Sequence, residues 1–339
     1  MPEALPLAIV LERALTARAP LLDAAHETAV RLFNGFTEGN PALVVDLYAT
    51  TAIIHNYAEP AAAGTVLVQE TLTILLARLP WLGAVMVKTR HSDVADERRG
   101  KLLFGTTVAR RVREHGVWYA VDLTMNRDAS LYLDTRNLRE WALRQLQGKT
   151  VLNAFAYTGS LGVAALAGGA ARVVQFDRNG EFLNMAKASY ALNGFPVRAR
   201  DFLVGDFFGG IGHLKKAGAR FDCIFLDPPF FATGQGGTID LVKDSARLIN
   251  KVRPLICDGG RLVTINNAIF VSGQTYLEIL TALAADGYLK IAELIPVPAD
   301  FTGYAETRVG LPITDPAPFN HSTKIVVLEI RRKDAGLDT

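Results

Sequence analysis

The spacing of apolar positions changes near residue 130, and the change divides the chain into two differently organised parts. In the first part, Leu22, Ala25, Ala29, Leu32 and Phe33 recur at helical spacing, which predicts helix over roughly the first 30 residues. The elements predicted next are a hairpin (43–48 with 52–57), a helix (65–79), a strand (84–89) and a second hairpin (108–113 with 117–123). The first part therefore reads as a small α+β domain over residues 1–120, with substrate binding as its expected role.

From about residue 130 the pattern alternates between helix and strand, which indicates a parallel sheet with helices on both faces. A helix is predicted over 136–147, before the first strand. Seven strands are predicted, at 150–155, 171–177, 197–203, 221–226, 261–265, 289–296 and 324–330. A long loop, 297–322, joins the last two in place of a helix, so we expect them to be antiparallel neighbours. This α/β part, residues 121–339, is the predicted second domain.

The stretch 151–177, VLNAFAYTGSLGVAALAGGAARVVQFD, reads as one strand–turn–helix–strand unit of that sheet. Gly159 in the turn permits close approach of a ligand, and the helix start directs free N–H groups toward it. Asp177 ends the second strand about 20 residues further on, where an acid can accept from the hydroxyls of a ribose. The unit predicts a site for an adenosine-containing cofactor, although a unit without a ligand remains the simpler alternative.

The glycine spacing of the turn narrows the choice of cofactor. Gly159 and Gly162 give only G-x-x-G, whereas dinucleotide sites use G-x-G-x-x-G and phosphate loops end in G-K-[ST]. A cofactor with adenosine but no phosphate fits better, and S-adenosylmethionine is the common one. Seven strands ending in an antiparallel pair is likewise the arrangement of the class I methyltransferase fold, which is Rossmann-like.

Composition excludes several classes of function. The 339 residues carry a net charge of +2 and half are hydrophobic, so global charge does not argue for a polyanion partner. Two cysteines, Cys223 and Cys257, exclude a disulfide framework and a cysteine-based zinc site, and the six histidines lack metal-ligand spacing. No apolar run is long enough to span a membrane, and the N-terminus reads as an amphipathic helix. We expect a cytoplasmic protein without a metal or a membrane partner.

The sharpest short motif is Asp227-Pro228-Pro229-Phe230-Phe231 at the end of the fourth predicted strand. An acid, rigid carbonyls and two rings can hold a flat, amino-bearing base by hydrogen bonds and stacking. We assign Asp227, Pro228, Pro229 and Phe230 to catalysis and Phe231 to substrate binding; a strand-ending turn with an apolar plug is the alternative.

Polar residues also end two other predicted strands of the same sheet. Asp206 follows the third strand, where it could reach the adenine of the cofactor or simply cap a helix. Asn266 and Asn267 end the fifth strand, where their amides could read a base edge.

Four motifs together resemble a known family. They are GNPALVVDLY at 39–48, LYLDTRNLR at 131–139, VLNAFAYTG at 151–159 and DPPFF at 227–231. The chain is similar, over about residues 30–331, to the bacterial 23S ribosomal RNA methyltransferases that use S-adenosylmethionine, the group of cytosine-C5 and guanine-N7 enzymes. The resemblance implies that the partner is RNA. It also implies cofactor contacts from Arg136 (cofactor carboxylate), Asn153, Phe155, Tyr157, Thr158, Gly159, Asp177, Asp206 and Asp227.

Two departures from the family pattern bear on the reaction. Members that methylate cytosine C5 carry an extra N-terminal RNA-binding domain and a Ser-Cys-Ser tip on the fifth strand; we expect no such domain, and the tip here is Thr264-Ile265-Asn266-Asn267. Cytosine C5 needs activation by a thiolate, and neither Cys223 nor Cys257 is placed to supply one. The Asn-Asn tip is similar to the guanine-N7 branch, whose acceptor atom needs only positioning.

Other readings stay open at this point. A basic segment between residues 88 and 113 could contact phosphates or be a solvated face, and His321 reads as a loop residue near the substrate side. Methyl transfer to a protein or a small molecule is the main alternative function. A non-catalytic RNA-binding protein and an NAD-dependent oxidoreductase are further alternatives, and a homodimer is left open.

Overall fold

The structure is a computed structural model that describes residues 5–125, 127–234 and 236–333. The chain divides into two compact units. The first comprises the residues up to Asp134 together with Pro298–Pro312, and the second comprises Thr135–Val297 and the residues from Ile313 onward. The sequence placed the boundary near residue 120 and assigned the whole of 297–322 to the second unit.

The first unit is built on a five-stranded sheet. Its elements are α1 (Leu7–Arg18), β1 (Ala29–Asn34), α2 (Gly35–Glu38), β2 (Leu43–Tyr48), β3 (Thr51–Asn56), α3 (Thr65–Arg78), β4 (Ala84–Thr89), α4 (Ala95–Arg99), β5 (Lys101–Gly105), β6 (Arg111–Glu114) and β7 (Val117–Ala120). The strand order is β1-β2-β3-β4-β5, and β6 and β7 form a separate hairpin. Only the β3–β4 pair is parallel, because α3 provides the crossover between them. The predicted hairpins, the helix α3 and the strand β4 are confirmed.

The helix predicted through Phe33 is wrong. The helix α1 ends at Arg18, where Pro20 follows in a short 3-10 turn, and residues 29–34 instead form the strand β1 paired with β2. Ala29, Val30, Leu32 and Phe33 are all buried, so this strand lacks the alternation of a half-exposed one. Its apolar spacing therefore imitates a helix.

The second unit contains the seven-stranded sheet. Its elements are α5 (Arg136–Gln145), β8 (Thr150–Ala154), α6 (Ser160–Ala167), β9 (Arg172–Asp177), α7 (Gly180–Leu192), β10 (Phe202–Val204), α8 (Phe207–Lys216), β11 (Phe221–Leu226), β12 (Phe231–Gly234), β13 (Gly237–Asp240), α9 (Ser245–Val252), β14 (Ile256–Asn266), α10 (Gly273–Ala284), β15 (Leu289–Ile295) and β16 (Lys324–Ile330). The helix α11 (Ala299–Thr302), between β15 and β16, belongs to the first unit.

The strand order of this sheet is β10-β9-β8-β11-β14-β16-β15. The strands are parallel except β16, which runs antiparallel to both β14 and β15. The predicted sheet with its terminal antiparallel pair is thus confirmed. The small hairpin of β12 and β13, which begins inside the Asp227–Phe231 motif, is an addition that the sequence did not predict.

Candidate active site

The direction of the central strands determines where a ligand can bind. The chain leaves β8 for β9 on one side, while β11 lies on the other side of β8. Such a reversal opens a crevice at the carboxyl ends of the two central strands. The predicted cofactor turn follows β8 and the predicted acceptor motif follows β11, so both lie at this crevice.

The turn after β8 has an unusual backbone. Phe155 and Tyr157 have φ values of 58° and 50°, in the left-handed region that side chains disfavour, and Gly159 has φ of 79°. Each of the first two costs about 1–2 kcal/mol. The carboxylate of Asp177 holds the turn, because its Oδ2 accepts from the Tyr157 amide at 2.8 Å. Strain maintained at a strand end next to a cavity is typical of a functional site.

Asp177 joins two segments of the crevice. Besides the Tyr157 amide, its carboxylate accepts the Asn179 amide on Oδ1 at 2.9 Å. Burial raises the pKa of the Asp177 carboxyl, and the backbone donors counteract this only in part. A half-buried carboxylate held in this way keeps lone pairs for the hydroxyls of a ribose.

A cavity of about 60 Å³ opens beside Asp177. Its walls are mostly aromatic, apolar and glycine residues, namely Phe155, Phe176, Asp177, Arg178, Gly205, Asp206, Phe207, Phe208, Pro229, Ala232, Thr233, Gly234, Gly237 and Ile239. Phe155 stacks on Phe207 with 4.5 Å between ring centroids. The cavity therefore unites Phe155, Asp177 and Asp206 of the predicted cofactor set with Pro229 of the predicted acceptor motif.

Asp206 has a structural task as well as its place on the cavity wall. It is the N-cap of α8, where its Oδ1 accepts from the amides of Phe208 and Gly209 at 3.0 and 3.2 Å. The helix-cap alternative raised by the sequence thus describes its geometry. Contact with an adenine stays a prediction.

A buried polar network supports the turn from inside the protein. Asn153 is fully buried, and its Nδ2 donates to Gln175 Oε1 at 2.8 Å. Gln175 Nε2 in turn donates to the Gly159 carbonyl at 3.1 Å and lies 3.3 Å from the Tyr190 hydroxyl. Asn153 thus acts on the turn through Gln175 and does not line the cavity. A glutamine within the apolar strand β9 was the available signal for this network, and the sequence reading missed it.

The two glycines of the turn are required because they pack closely against Gln175 and Ala186. A Cβ on Gly162 would lie 2.2 Å from Gln175 Nε2, and one on Gly159 would lie 2.5 Å from the Ala186 side chain. Their Cβ positions point into the protein rather than toward the cavity. The G-x-x-G spacing thus allows α6 to pack closely on β9 and α7.

We expect Gly162→Ala to destabilise the second unit by about 1–3 kcal/mol, because the added methyl displaces Gln175 and strains a packed interior. Gly212→Ala is the matched control, since Gly212 is also helical and a Cβ there meets no atom within 4 Å. Urea unfolding of both variants measures the difference. Equal stability of the Gly162 variant and the wild type would contradict the packing role.

The Asp227–Phe231 motif lies directly after β11. Pro228 is buried and Asp227 is half-buried, whereas Phe230 and Phe231 are 43% and 61% exposed. The Phe230 carbonyl accepts from the Leu241 amide at 3.0 Å, which closes the hairpin of β12 and β13 behind the two rings. The motif therefore presents aromatic rings beside an acid, on a braced turn.

The two asparagines at the end of β14 differ in their surroundings. Asn266 is fully buried, its Nδ2 donates to the Leu241 carbonyl and to Ser245 Oγ, and its Oδ1 accepts from the Ala268 amide. This geometry favours a structural role for Asn266. Asn267 has a buried Oδ1 without a hydrogen-bond partner, so the substrate-binding prediction concentrates on Asn267.

The remaining residues singled out in the sequence are not among the described residues that line the cavity beside Asp177. Arg136 is half-buried at the first position of α5, and Arg136 and Asp227 are absent from the described lining of the cavity. His321 Nδ1 accepts from the Thr323 amide at 3.0 Å, as a loop residue does. In the basic segment of the first unit, Lys88 is fully buried and Arg90 pairs with Asp128 at 2.6 Å.

The cysteines lie far from the strand tips. Cys223 is fully buried within β11, and burial raises the pKa of its thiol well above the ordinary range. Cys257 is the second residue of β14, near the end opposite the crevice, and burial raises its thiol pKa as well. Neither thiol is poised as a nucleophile.

Within residues 5–125, 127–234 and 236–333, no helix combines the length and the apolar character needed to cross a membrane. In the same ranges, no three His, Cys, Asp or Glu side chains are grouped as metal ligands.

The protein has the features of a class I methyltransferase: this sheet order, the strained turn after β8 and the acid that ends β9. A sequence model of the S-adenosylmethionine-dependent methyltransferases matches residues 36–311, and the chain belongs to this family. The fold and the cofactor predicted from the sequence, S-adenosylmethionine, are thereby confirmed.

Individual relatives agree with this assignment. The chain is 31% identical over 270 residues to a Bacillus subtilis protein named as the ribosomal RNA large subunit methyltransferase YwbD, covering 76% of this chain and 65% of that protein. It is 29% identical to ribosomal RNA large subunit methyltransferase I of Aeromonas salmonicida, covering 87% and 76%. The solved structure of SMU.776, described as a methyltransferase complexed with SAH, superposes with a TM-score of 0.83 at 20% identity, covering 96% and 81%.

The residues at the crevice suit this cofactor. Phe207 and Phe208 offer flat apolar surface for an adenine, and the Asp177 carboxylate offers acceptors for two hydroxyls.

Proposed function

We propose that this protein transfers a methyl group from S-adenosylmethionine to a base of large-subunit ribosomal RNA, with guanine N7 favoured as the acceptor atom. The observation that carries the proposal is Pro229, which lines the cavity beside Asp177 and belongs to the turn that presents Phe230 and Phe231. The donor site and the aromatic acceptor motif are thus parts of one crevice. The names of the relatives supply the substrate class.

In this proposal each part of the crevice has a separate role. Asp177 binds the ribose, and the adenine lies against the aromatic wall of Phe207 and Phe208 beside Asp206. Phe155, Tyr157, Thr158 and Gly159 line the methionine and ribose part of the cofactor. Arg136 pairs with the cofactor carboxylate. When bound, S-adenosylmethionine supplies an electrophilic methyl group. Asp227, the two prolines and Phe230 hold the acceptor base in line with that group, and Phe231 stacks on it.

The buried thiols support an N-acceptor rather than cytosine C5. Carbon C5 requires a thiolate added to the ring, and Cys223 and Cys257 lie away from the crevice. Guanine N7 carries a lone pair and no proton, so methylation there requires no general base. The ring gains a positive charge, which the Asp227 carboxylate would stabilise.

The first unit, with its five-stranded sheet, would bind part of the RNA substrate. A cytoplasmic location follows from a ribosomal RNA substrate.

The test is incubation with methyl-labelled S-adenosylmethionine and, separately, in vitro transcribed large-subunit ribosomal RNA, total protein and a metabolite extract. We expect label in the RNA, and mass mapping of nuclease fragments then identifies the base and atom. Label in protein or metabolites alone would replace the proposal with the corresponding alternative. Cofactor binding without transfer to any fraction would indicate a non-catalytic RNA-binding protein.

We expect the double variant Cys223→Ala, Cys257→Ala to retain turnover, because no covalent enzyme–base bond is required at N7. Initial rates with the same RNA, together with a thermal unfolding curve, measure this. A folded double variant without activity would instead favour a thiolate mechanism and a carbon acceptor.

A further inference from the structure

The loop that follows β14 is held in place by a buried lysine. We call residues 267–272 the β14 loop. Lys324, fully buried at the start of β16, donates from Nζ to the carbonyls of Ala268 and Val271 at 3.0 and 3.1 Å and to that of Ser322 at 2.5 Å. Burial lowers the pKa of this ammonium to about 8, so it is still protonated at neutral pH and supplies three donors.

The same loop exposes its middle residues. Ala268 and Val271 are buried, whereas Ile269 is 43% exposed and Phe270, between the two carbonyls that Lys324 binds, is 66% exposed. A loop fixed at both ends holds its central side chains outward. An exposed aromatic ring on a fixed loop offers a face on which a nucleobase can stack.

The strand register places this loop beside the acceptor motif. β11 and β14 are parallel neighbours with Leu226 opposite Thr264, so the motif at 227–231 and the β14 loop leave the same edge of the sheet. Asn267 begins the loop, and its Oδ1 is the buried acceptor without a partner noted above. An acceptor without a partner, at the start of a loop that exposes an aromatic ring, suits a flat ligand that carries N–H groups.

We propose that the β14 loop binds an unpaired nucleobase of the RNA acceptor, with Phe270 stacking on its face and Asn267 Oδ1 accepting one of its N–H groups. Lys324 is a positioning residue that acts through the carbonyls of Ala268 and Val271. The inference rests on the proposed function and extends it, because it requires the RNA to present unpaired bases at the crevice. Bases inside a duplex cannot offer a face and an N–H edge together.

The first test compares Phe270→Ala with Phe270→Tyr on in vitro transcribed large-subunit ribosomal RNA. Loss of one stacked base lowers kcat/KM by about 5- to 150-fold in the alanine variant, and tyrosine restores it. Cofactor affinity by calorimetry stays at the wild-type value in both. Leu192→Ala, at the end of α7 on the opposite edge of the sheet, is the matched control and leaves kcat/KM unchanged.

The second test combines Lys324→Met with Phe270→Ala. If Lys324 acts through the loop, its loss raises the KM for RNA strongly in the wild type and only weakly in the Phe270→Ala background. Equal effects in both backgrounds would overturn the positioning role. RNA methylation by the wild type with an unaffected Phe270→Ala variant would overturn the stacking role, whereas a wild type that methylates no RNA would refute the proposed function itself.

Discussion

Asp177→Ala should weaken S-adenosylmethionine binding by about 150- to 25,000-fold, because each hydrogen bond to a charged acceptor contributes about 1.5–3 kcal/mol and two ribose hydroxyls lose theirs. The variant also leaves the Tyr157 and Asn179 amides without their acceptor, so the strained turn after β8 loses its support. Isothermal titration calorimetry measures the change directly.

Asp222→Ala is the control for this variant. Asp222 also accepts a backbone amide and a hydroxyl, both from Thr150 at 2.8 Å, but it lies at the start of β11, on the edge opposite the crevice. Its loss should lower stability and leave cofactor affinity intact. Unchanged affinity in Asp177→Ala would refute the assignment of the ribose site.

Cofactor binding through the Asp177 carboxylate should also depend on pH. Because burial raises the pKa of Asp177, protonation removes its acceptor capacity at a higher pH than for an exposed aspartate. Binding by the wild type should therefore weaken as the pH is lowered toward that pKa. The asparagine of the Asp177→Asn variant does not titrate. This variant should bind the cofactor more weakly than the wild type, and its affinity should no longer change with pH over this range.

The sequence predicted the second unit better than the first for a physical reason. In the second unit, short apolar runs alternate with amphipathic helices and Gly or Asp mark the turns, so β8, β9, β11 and β16 fall where expected. In the first unit, β1 is buried on both faces and its spacing imitates a helix, while β5 is an exposed edge strand whose short apolar run, Leu102 to Phe104, does not alternate with polar residues. A strand buried on both faces and a strand exposed on both faces both lack the alternation of apolar and polar residues that identifies a strand in the sequence.

Some residues of the candidate site could be predicted from the sequence and others could not. Asp177 and the Asp227–Phe231 motif were found because strand ends in a parallel sheet meet at one edge, whatever the side-chain contacts. The roles of Asn153, Asn266 and Gln175 depend on which polar atoms meet inside the protein, and spacing along the chain does not specify these contacts. The hairpin of β12 and β13 was missed because its residues, FATGQGGTID, include three glycines that read as loop.

Asp227→Asn should lower kcat for RNA methylation by about 100- to 1,000-fold, the size of effect seen when one electrostatic contact to a transition state is removed. Guanine offers N1–H and N2–H donors on one edge, which a carboxylate accepts as a pair. As N7 gains the methyl group the ring becomes positive, and a nearby negative charge stabilises that change. An asparagine presents one acceptor, one donor and no charge.

The Asp227→Asn experiment separates charge from folding. Asparagine preserves shape and one acceptor oxygen, so cofactor affinity should fall far less than turnover. Asp240→Asn is the matched control, because Asp240 lies opposite Phe231 in the adjoining hairpin and its carboxylate accepts the Val242 amide and pairs with the exposed Lys243 at 3.7 Å. Single-turnover rates on the mapped RNA fragment measure the chemical step. Equal single-turnover rates for Asp227→Asn and the wild type would show that methylation of the acceptor ring does not depend on this carboxylate.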